Sequence, residues 1–239
     1  MKIVTMNVRG IQSAWDAGLK SYVLDLSPDV FLMQEIRTDQ RLERCFIPGY
    51  EEIFFPSVKK GHAGVGAFVR TDGELMAIPG LGVLEKDGQG RALTLDMGRF
   101  YLANVYAPAE DGSEEREAER KEWFRDLVAF VKRLQGTKPV LIAGDMNVPA
   151  RKGFTGMRGR PRKDAAIVND ALQMVLDGGY ADVWQLLNGN RPQLERAGTK
   201  GERLDYFLVP EATIGRLRSC RMLEKTAMSD HRAIMLELK

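Results

Sequence analysis

The sequence predicts an α+β protein, a four-layer α/β sandwich in which two mixed β-sheets pack face to face with helices outside. Three observations carry this. Short apolar runs, bounded mostly by Gly, Pro or Asp, recur along the whole chain and are numerous enough to need a large sheet or two sheets. Longer amphipathic stretches lie among them, but in an order that does not alternate strictly, which favours a sandwich with external helices. No linker, repeat or low-complexity tract divides the 239 residues, so one domain is expected over 1–239.

Taken in order, strands are predicted at 2–6, 30–34, 50–55, 64–70, 91–97, 100–105, 139–143, 204–209 and 232–238. Helices are predicted near 13–26, over 113–135 and near 165–178. The middle helix is the best specified. Trp123, Phe124, Leu127, Val128, Val131 and Leu134 form one apolar stripe suited to core packing. Ser113 stands where an N-cap belongs, and Glu114, Glu115 and Glu117 give the first turn the negative charge that a helix N-terminus favours.

Composition bounds the setting. With 44% hydrophobic and 28% charged residues the chain reads as a soluble globular protein, and it has no apolar run long enough to span a membrane. Its start, MKIVTMNVRG, reads as a strand without the layout of a signal peptide, so a cytoplasmic location is expected. Cys45 and Cys220 are too few and too isolated for a disulfide framework or a zinc site, which leaves reduced, structural thiols. The net charge of +2 names no partner by itself. Its distribution says more: RKGFTGMRGRPRK at 151–163 carries Arg151, Lys152, Arg158, Arg160, Arg162 and Lys163 without an acid. Such a run is most often a solvated loop, but directly after Asp145, Met146 and Asn147 it is expected to grip a polyanion.

Five runs share a layout that carries chemistry. MKIVTMN ends at Asn7, DVFLMQE at Glu35 and PVLIAGDMN at Asp145 and Asn147; RLDYFLV has Asp205 near its start, and the final run is preceded by Asp230 and His231. One carboxylate beside a strand is usually solvent-facing. Five polar strand ends imply convergence on one cation-binding cleft. Carboxylates hold a hard cation, a base activates water, and amides and an imidazolium donate to a phosphate, so the set points to metal-assisted hydrolysis of phosphodiesters.

IVTMNVRG, FLMQEIR, KKGHAGVGAFV, NVYAP, LIAGDMNVP, RLDYFLV and SDHRAIML, in this order, resemble the motifs of the endonuclease/exonuclease/phosphatase superfamily, and within it the exonuclease III and AP endonuclease branch. Each motif alone is weak, but the seven together run almost end to end. The resemblance implies a monomeric, Mg²⁺-dependent DNA nuclease, with Mn²⁺ as a substitute, that leaves 3′-hydroxyl ends by 3′ to 5′ exonuclease action and also incises abasic sites. It implies Glu35 as the principal metal ligand with Asn7 beside it, Asp230 as a second contributor, Asp145 as the base, and Asn147 as the amide that holds phosphate or base. It implies that His231 donates to a phosphate oxygen while Asp205 orients its ring, and that Tyr106 contacts the phosphate. Lys60, His62 and Arg91 match backbone-contacting positions. The rival readings are a phosphatase or phosphodiesterase acting on a small or lipid phosphate, and a nucleic-acid-binding module without catalysis.

The chain departs from the branch in two places. The segment LLNGNRPQLERAGTKGERLDYF has no aromatic residue before Tyr206, where relatives that act on abasic sites build an apolar pocket, and Leu194 alone would discriminate poorly between a base-less sugar and an ordinary nucleotide. Arg9 stands where relatives generally have a second asparagine; it either clamps a phosphate or pairs with a nearby acid.

Overall fold

The computed structural model describes residues 1–38, 45–71, 73, 75–149, 172–189 and 203–239. Among them are two mixed six-stranded sheets with helices against their outer faces. The first sheet consists of β1 (Lys2–Asn7), β2 (Val30–Gln34), β3 (Glu51–Phe55), β4 (Val65–Val69), β11 (Leu217–Met222) and β12 (Ile234–Leu238), in the order β11-β12-β1-β2-β4-β3. The second consists of β5 (Ala77–Pro79), β6 (Ala92–Asp96), β7 (Tyr101–Tyr106), β8 (Val140–Asp145), β9 (Tyr180–Asp182) and β10 (Asp205–Pro210), in the order β5-β6-β7-β8-β10-β9.

The period of two along each strand sorts the side chains into layers. Ile3, Val30, Leu32, Val65 and Ala67 from the first sheet meet Leu93, Leu102, Leu141, Ala143 and Phe207 from the second in the central core. Their alternates face outward. Val4, Met6, Phe31 and Met33 pack against α1 (Ile11–Asp16) and α2 (Leu19–Leu26). Ala103, Val105, Val140 and Ile142 pack under Trp123, Phe124, Leu127 and Val131 of α4 (Glu114–Gln135). Four layers result, as the runs of strand and helix predict.

Helix α4 begins as expected, with the Ser113 hydroxyl accepting from Arg116 N at 3.2 Å. Elsewhere the elements differ from the sequence reading. The helix expected near 13–26 is two helices, because Gly18 sits at φ 104 between them, in the left-handed region that ends a helix. Of the helix expected near 165–178, residues 172–177 are helical (α5) and 165–171 lie outside the described residues. The short helices α3 (Leu84–Asp87) and α6 (Val183–Asn188) are unforeseen, although Asp182 caps α6 by accepting from Trp184 N at 3.0 Å. Three strands are unforeseen as well: β5, β9 and β11, all at sheet edges. β5 and β9 have three residues each, and β11 carries a register shift between Leu217 and Ser219 that breaks its alternation.

Topology brings the functional ends to one edge. β1 and β2 run parallel with Asn7 opposite Gln34, and β7 and β8 run parallel with Tyr106 opposite Asp145. β10 is antiparallel to β8 and starts where β8 ends, so Asp205 lies opposite Asp145. β12 is antiparallel to β1, which returns the segment before it to the end of β1. At Gly144 the second sheet tolerates no side chain: a Cβ there would lie 2.0 Å from Val105 O, and the residue holds φ 132.

Candidate active site

Asn7, Tyr106, Asp145 and Asp205 all fall in the inward-facing rows of their strands, at the last or first position, so each extends the apolar row of the central core into a polar end. Glu35 needs a further device. Alternation after inward-facing Gln34 would send it to the outer face, but its backbone turns left-handed at φ 52 and keeps it at the inner edge. There Glu35 Oε1 accepts from Asn7 Nδ2 at 2.8 Å and from the Tyr106 phenol at 2.8 Å. Oε2 pairs with the Arg37 guanidinium. Burial opposes the Glu35 charge, but the two hydrogen bonds and Arg37 outweigh it and hold the carboxyl below its usual range.

Asp145 is the opposite case. It is 1% exposed; Oδ2 accepts from Asn7 Nδ2 at 2.9 Å and Oδ1 from Asn147 N at 2.8 Å. Burial first, and then the nearby negative Asp205, push its carboxyl up, against the pull of His231 and these hydrogen bonds. Two carboxyl groups that share one amide donor are thus driven in opposite directions, one kept charged and one made readily protonated. Such a pair separates a cation ligand from a proton acceptor.

His231 completes the cluster. Its Nδ1 lies 2.8 Å from Asp205 Oδ2, and its Nε2 faces Asp145 Oδ2 at 3.9 Å. Burial works against the ring's charge, but Asp205, by charge and hydrogen bond, and then Asp145 overcome it, and the imidazolium pKa is pushed up to about 9. The loop carrying His231 is tied to β1, where Ser229 Oγ donates to Asn7 O at 2.7 Å and accepts from His231 N at 3.1 Å.

The remaining expected residues are placed less uniformly. Asn147 sits at φ 49, with its side chain donating to Ala107 O at 2.8 Å and its carbonyl accepting from buried Arg120 at 2.8 Å. Arg91 lies over the Tyr106 ring at 5.0 Å and donates to Tyr106 O at 3.3 Å and Gln89 Oε1 at 2.6 Å, so it buttresses the phenol. Arg9 pairs with Asp230 Oδ2 at 2.5 Å, which joins the residue expected to meet nucleic acid to the one expected at the metal. Lys60 and His62 are exposed in the loop between β3 and β4. The end of that loop reaches the site, since Ala63 O and Gly64 O accept from Arg37 N and Ile36 N at 2.9 and 3.1 Å. Arg151, Arg158, Arg160, Arg162 and Lys163 lie outside the described residues, as does Leu194.

Sequence reasoning assigned no role to Arg37, Ser229, Arg203 or Asn104. All four stand inside quoted motifs, FLMQEIR, SDHRAIML, RLDYFLV and NVYAP, two residues from Glu35, His231, Asp205 and Tyr106 respectively, which was the available signal. Arg203 is 1% exposed; it pairs with Asp182, donates to Asp205 O at 3.0 Å and lies 4.1 Å from the Tyr206 ring, fixing the start of β10. Nothing in its surroundings in the sequence marks an arginine as buried.

The donor set fits a hard divalent cation: it is rich in carboxylate oxygen, and Asp205 Oδ1 and Asp230 Oδ1 are buried without a hydrogen-bond partner among the described residues. Asp145, Asp205 and His231 also bring ligand atoms within 4.8 Å of one another. In that trio the ring is charged and already held by Asp205, which suits proton handling better than ligation, whereas Glu35 is charged at the cleft edge.

The profile of the Endonuclease/Exonuclease/phosphatase family matches residues 4–231. The chain is 28% identical over 253 residues to a DNA-(apurinic or apyrimidinic site) endonuclease of Dictyostelium discoideum, covering 97% of this chain and 68% of that protein. It is 27% identical over 247 residues to an exodeoxyribonuclease of Bacillus subtilis, covering 97% of this chain and 96% of that one. Among solved structures, the catalytic domain of Xenopus laevis APE2 superposes with a TM-score of 0.86 at 21% identity, covering 100% of this chain and 92% of that chain, a likeness of fold.

Proposed function

The chain belongs to the endonuclease/exonuclease/phosphatase family, and from that premise we propose that it is a metal-dependent DNA nuclease, hydrolysing phosphodiesters to leave 3′-hydroxyl ends, with 3′ to 5′ exonuclease action and incision at abasic sites. Its similarity along nearly its whole length to proteins named as an exodeoxyribonuclease and an abasic-site endonuclease supports DNA as substrate. The observation that carries the reading is the division of labour at Asn7 between Glu35, kept charged, and Asp145, made protonatable, with the charged His231 beside Asp145.

Glu35 and Asn7, with Asp230, would hold the divalent cation, Mg²⁺ with Mn²⁺ as a substitute, which when bound neutralises charge on the phosphate. The chain's own groups do the rest. Asp145 accepts a proton from the attacking water as the water oxygen bonds to phosphorus and the bond from phosphorus to the 3′ oxygen breaks, and the released 3′ oxygen takes a proton from solvent water to become the 3′-hydroxyl. His231 donates through Nε2 to a non-bridging phosphate oxygen, and Asp205 keeps the ring oriented and charged through that step. Tyr106, held between Glu35 and Arg91, and Asn147 line the place where the phosphate sits.

No helix among the described residues is long and apolar enough to cross a membrane. A monomer acting in the cytoplasm belongs to the same reading. The test is to incubate the protein with labelled single-stranded, duplex and abasic duplex DNA, with Mg²⁺ or with chelator. Mg²⁺-dependent shortening from 3′ ends is expected; release of phosphate only from small or lipid substrates would replace the nuclease reading with a phosphatase one, and binding without cleavage would leave a binding module.

A further inference from the structure

We propose that Asn104 and Gln34 are positioning residues for the reaction, forming a buried polar clamp between the sheets that sets where the Glu35 carboxylate stands relative to Tyr106. The inference rests on the nuclease reading and deepens it. Asn104, Gln34 and Thr5 are each 0% exposed, and in their inward-facing rows they follow the apolar Leu102, Leu32 and Ile3 of the central core. Asn104, on β7 of the second sheet, reaches across to the first: its Nδ2 donates to Met33 O at 3.0 Å and Gly66 O at 2.9 Å, the facing carbonyls of β2 and β4. Its Oδ1 accepts from Gln34 Nε2 at 2.6 Å, and the same nitrogen donates to Thr5 Oγ1 at 3.0 Å. One side chain of the second sheet thus fixes the ends of two strands of the first.

The position of this clamp gives it a role. Gln34 directly precedes Glu35, and Asn104 lies two residues before Tyr106 on the same face of β7. The Tyr106 phenol closes the circuit on Glu35 Oε1 at 2.8 Å. Glu35, Gln34, Asn104 and Tyr106 therefore form a closed ring of covalent and hydrogen-bonded links across the sheet interface. Apolar contacts between two sheets are non-directional and do not by themselves orient a polar group at the sheet edge, whereas catalytic groups must be held to within about 0.5 Å. Directional bonds supply that restraint.

A purely packing role fits less well. A leucine pair would fill this interior without desolvating amides, and Gln34 Oε1 is buried with no partner among the described residues, a cost that an apolar pair avoids. Polar groups retained at such a cost beside reacting groups mark a geometric requirement.

The experiment compares wild type with Asn104→Leu, Gln34→Met and Thr5→Val by thermal melting, by Mn²⁺ affinity of the DNA-free protein from electron paramagnetic resonance, and by kcat and KM on duplex DNA. For Asn104→Leu and Gln34→Met, well below their melting temperatures, Mn²⁺ affinity and kcat are each expected to fall about 10- to 100-fold, as when the support of a metal ligand is removed. KM for DNA is expected to change less than about threefold, because the clamp touches no substrate. Thr5→Val, which removes only one acceptor of the Gln34 amide, should shift Mn²⁺ affinity the same way by less, and it carries the test if the other two fail to fold. Lowered melting temperatures with unchanged Mn²⁺ affinity and kcat would make the clamp a structural feature and overturn the proposal. Wild-type protein that binds Mn²⁺ and cuts DNA shows that this outcome leaves the nuclease reading intact; wild type doing neither overturns that reading instead.

Discussion

Glu35 and Asp145 stand on different sheets and accept from one and the same atom, Asn7 Nδ2, at 2.8 and 2.9 Å. The amide does what two buried acids cannot do for themselves: it satisfies both while each keeps a different protonation preference. Asn7→Ala is therefore expected to take one donor from Glu35, which keeps Tyr106 and Arg37, and to leave Asp145 Oδ2 unsatisfied, costing about 1–3 kcal/mol of stability. Its kcat should fall by at least about 100-fold. Melting curves and single-turnover rates check both; a variant that melts lower but cuts at the normal rate would reduce Asn7 to scaffold.

Glu35 stands at a strand end in the cleft, with one oxygen bonded inward and the other toward Arg37. Glu35→Ala is expected to lose orders of magnitude in rate while keeping the fold, because a dominant electrostatic contribution goes and little packing does. Circular dichroism and Mg²⁺ titrations of activity decide it. Near-normal Mg²⁺-dependent cleavage would place the cation elsewhere.

Asp205 and His231 should fail as a unit. The double substitution Asp205→Ala with His231→Ala is expected to cost little more in log rate than His231→Ala alone, since the carboxylate acts through the ring. Additive losses would show two independent roles.

The same pair sets a pH window. His231 is raised from 6.5 to about 9, so the fold favours the charged ring; the stability this contributes is complete below pH 6.5 and is lost as pH rises through about 9. Activity that needs the imidazolium falls over the same alkaline limb. Asp205→Asn removes the charge that raises the pKa, and the limb of the kcat profile should move toward lower pH. A limb that stays in place would assign it to another group.

Arg158, Arg160, Arg162 and Lys163 are read as phosphate-binding cations. Replacing all four by Ala is expected to weaken DNA binding and to flatten the log–log salt slope by roughly 0.7 to 0.9 for every phosphate left without its cation. Hydrolysis of a small phosphodiester should stay nearly unchanged. An intact slope, measured by fluorescence anisotropy across a salt series, would make the run a solvated surface loop.

The central strands were legible because alternation and apolar content agree in them. The same alternation, followed to each strand's end, puts Asn7, Tyr106, Asp145 and Asp205 on one inward face. The edges were not legible: β5 and β9 are too short to show a period, and β11 breaks its own at a bulge. Within the site, Glu35 escapes the pattern through a left-handed backbone, which composition does not announce for a glutamate. Arg9 was read with two outcomes open, and its pairing with Asp230, 221 residues away, is information only the closed fold contains.

The docking of the last strand on the first has a consequence for how the protein comes into being. Asn7 receives its tie from Ser229, and His231 arrives only when β12 settles against β1. Pairings of such long sequence separation form late and slowly, because the loop must close before anything holds it. A chain in which β1, β2, β7 and β8 have paired while β12 is still undocked holds Glu35 and Asp145 but lacks the imidazolium that completes the cluster. Competence to cut then appears in one step with global folding, and a renaturing sample should regain cleavage no earlier than the slowest signal of its tertiary structure.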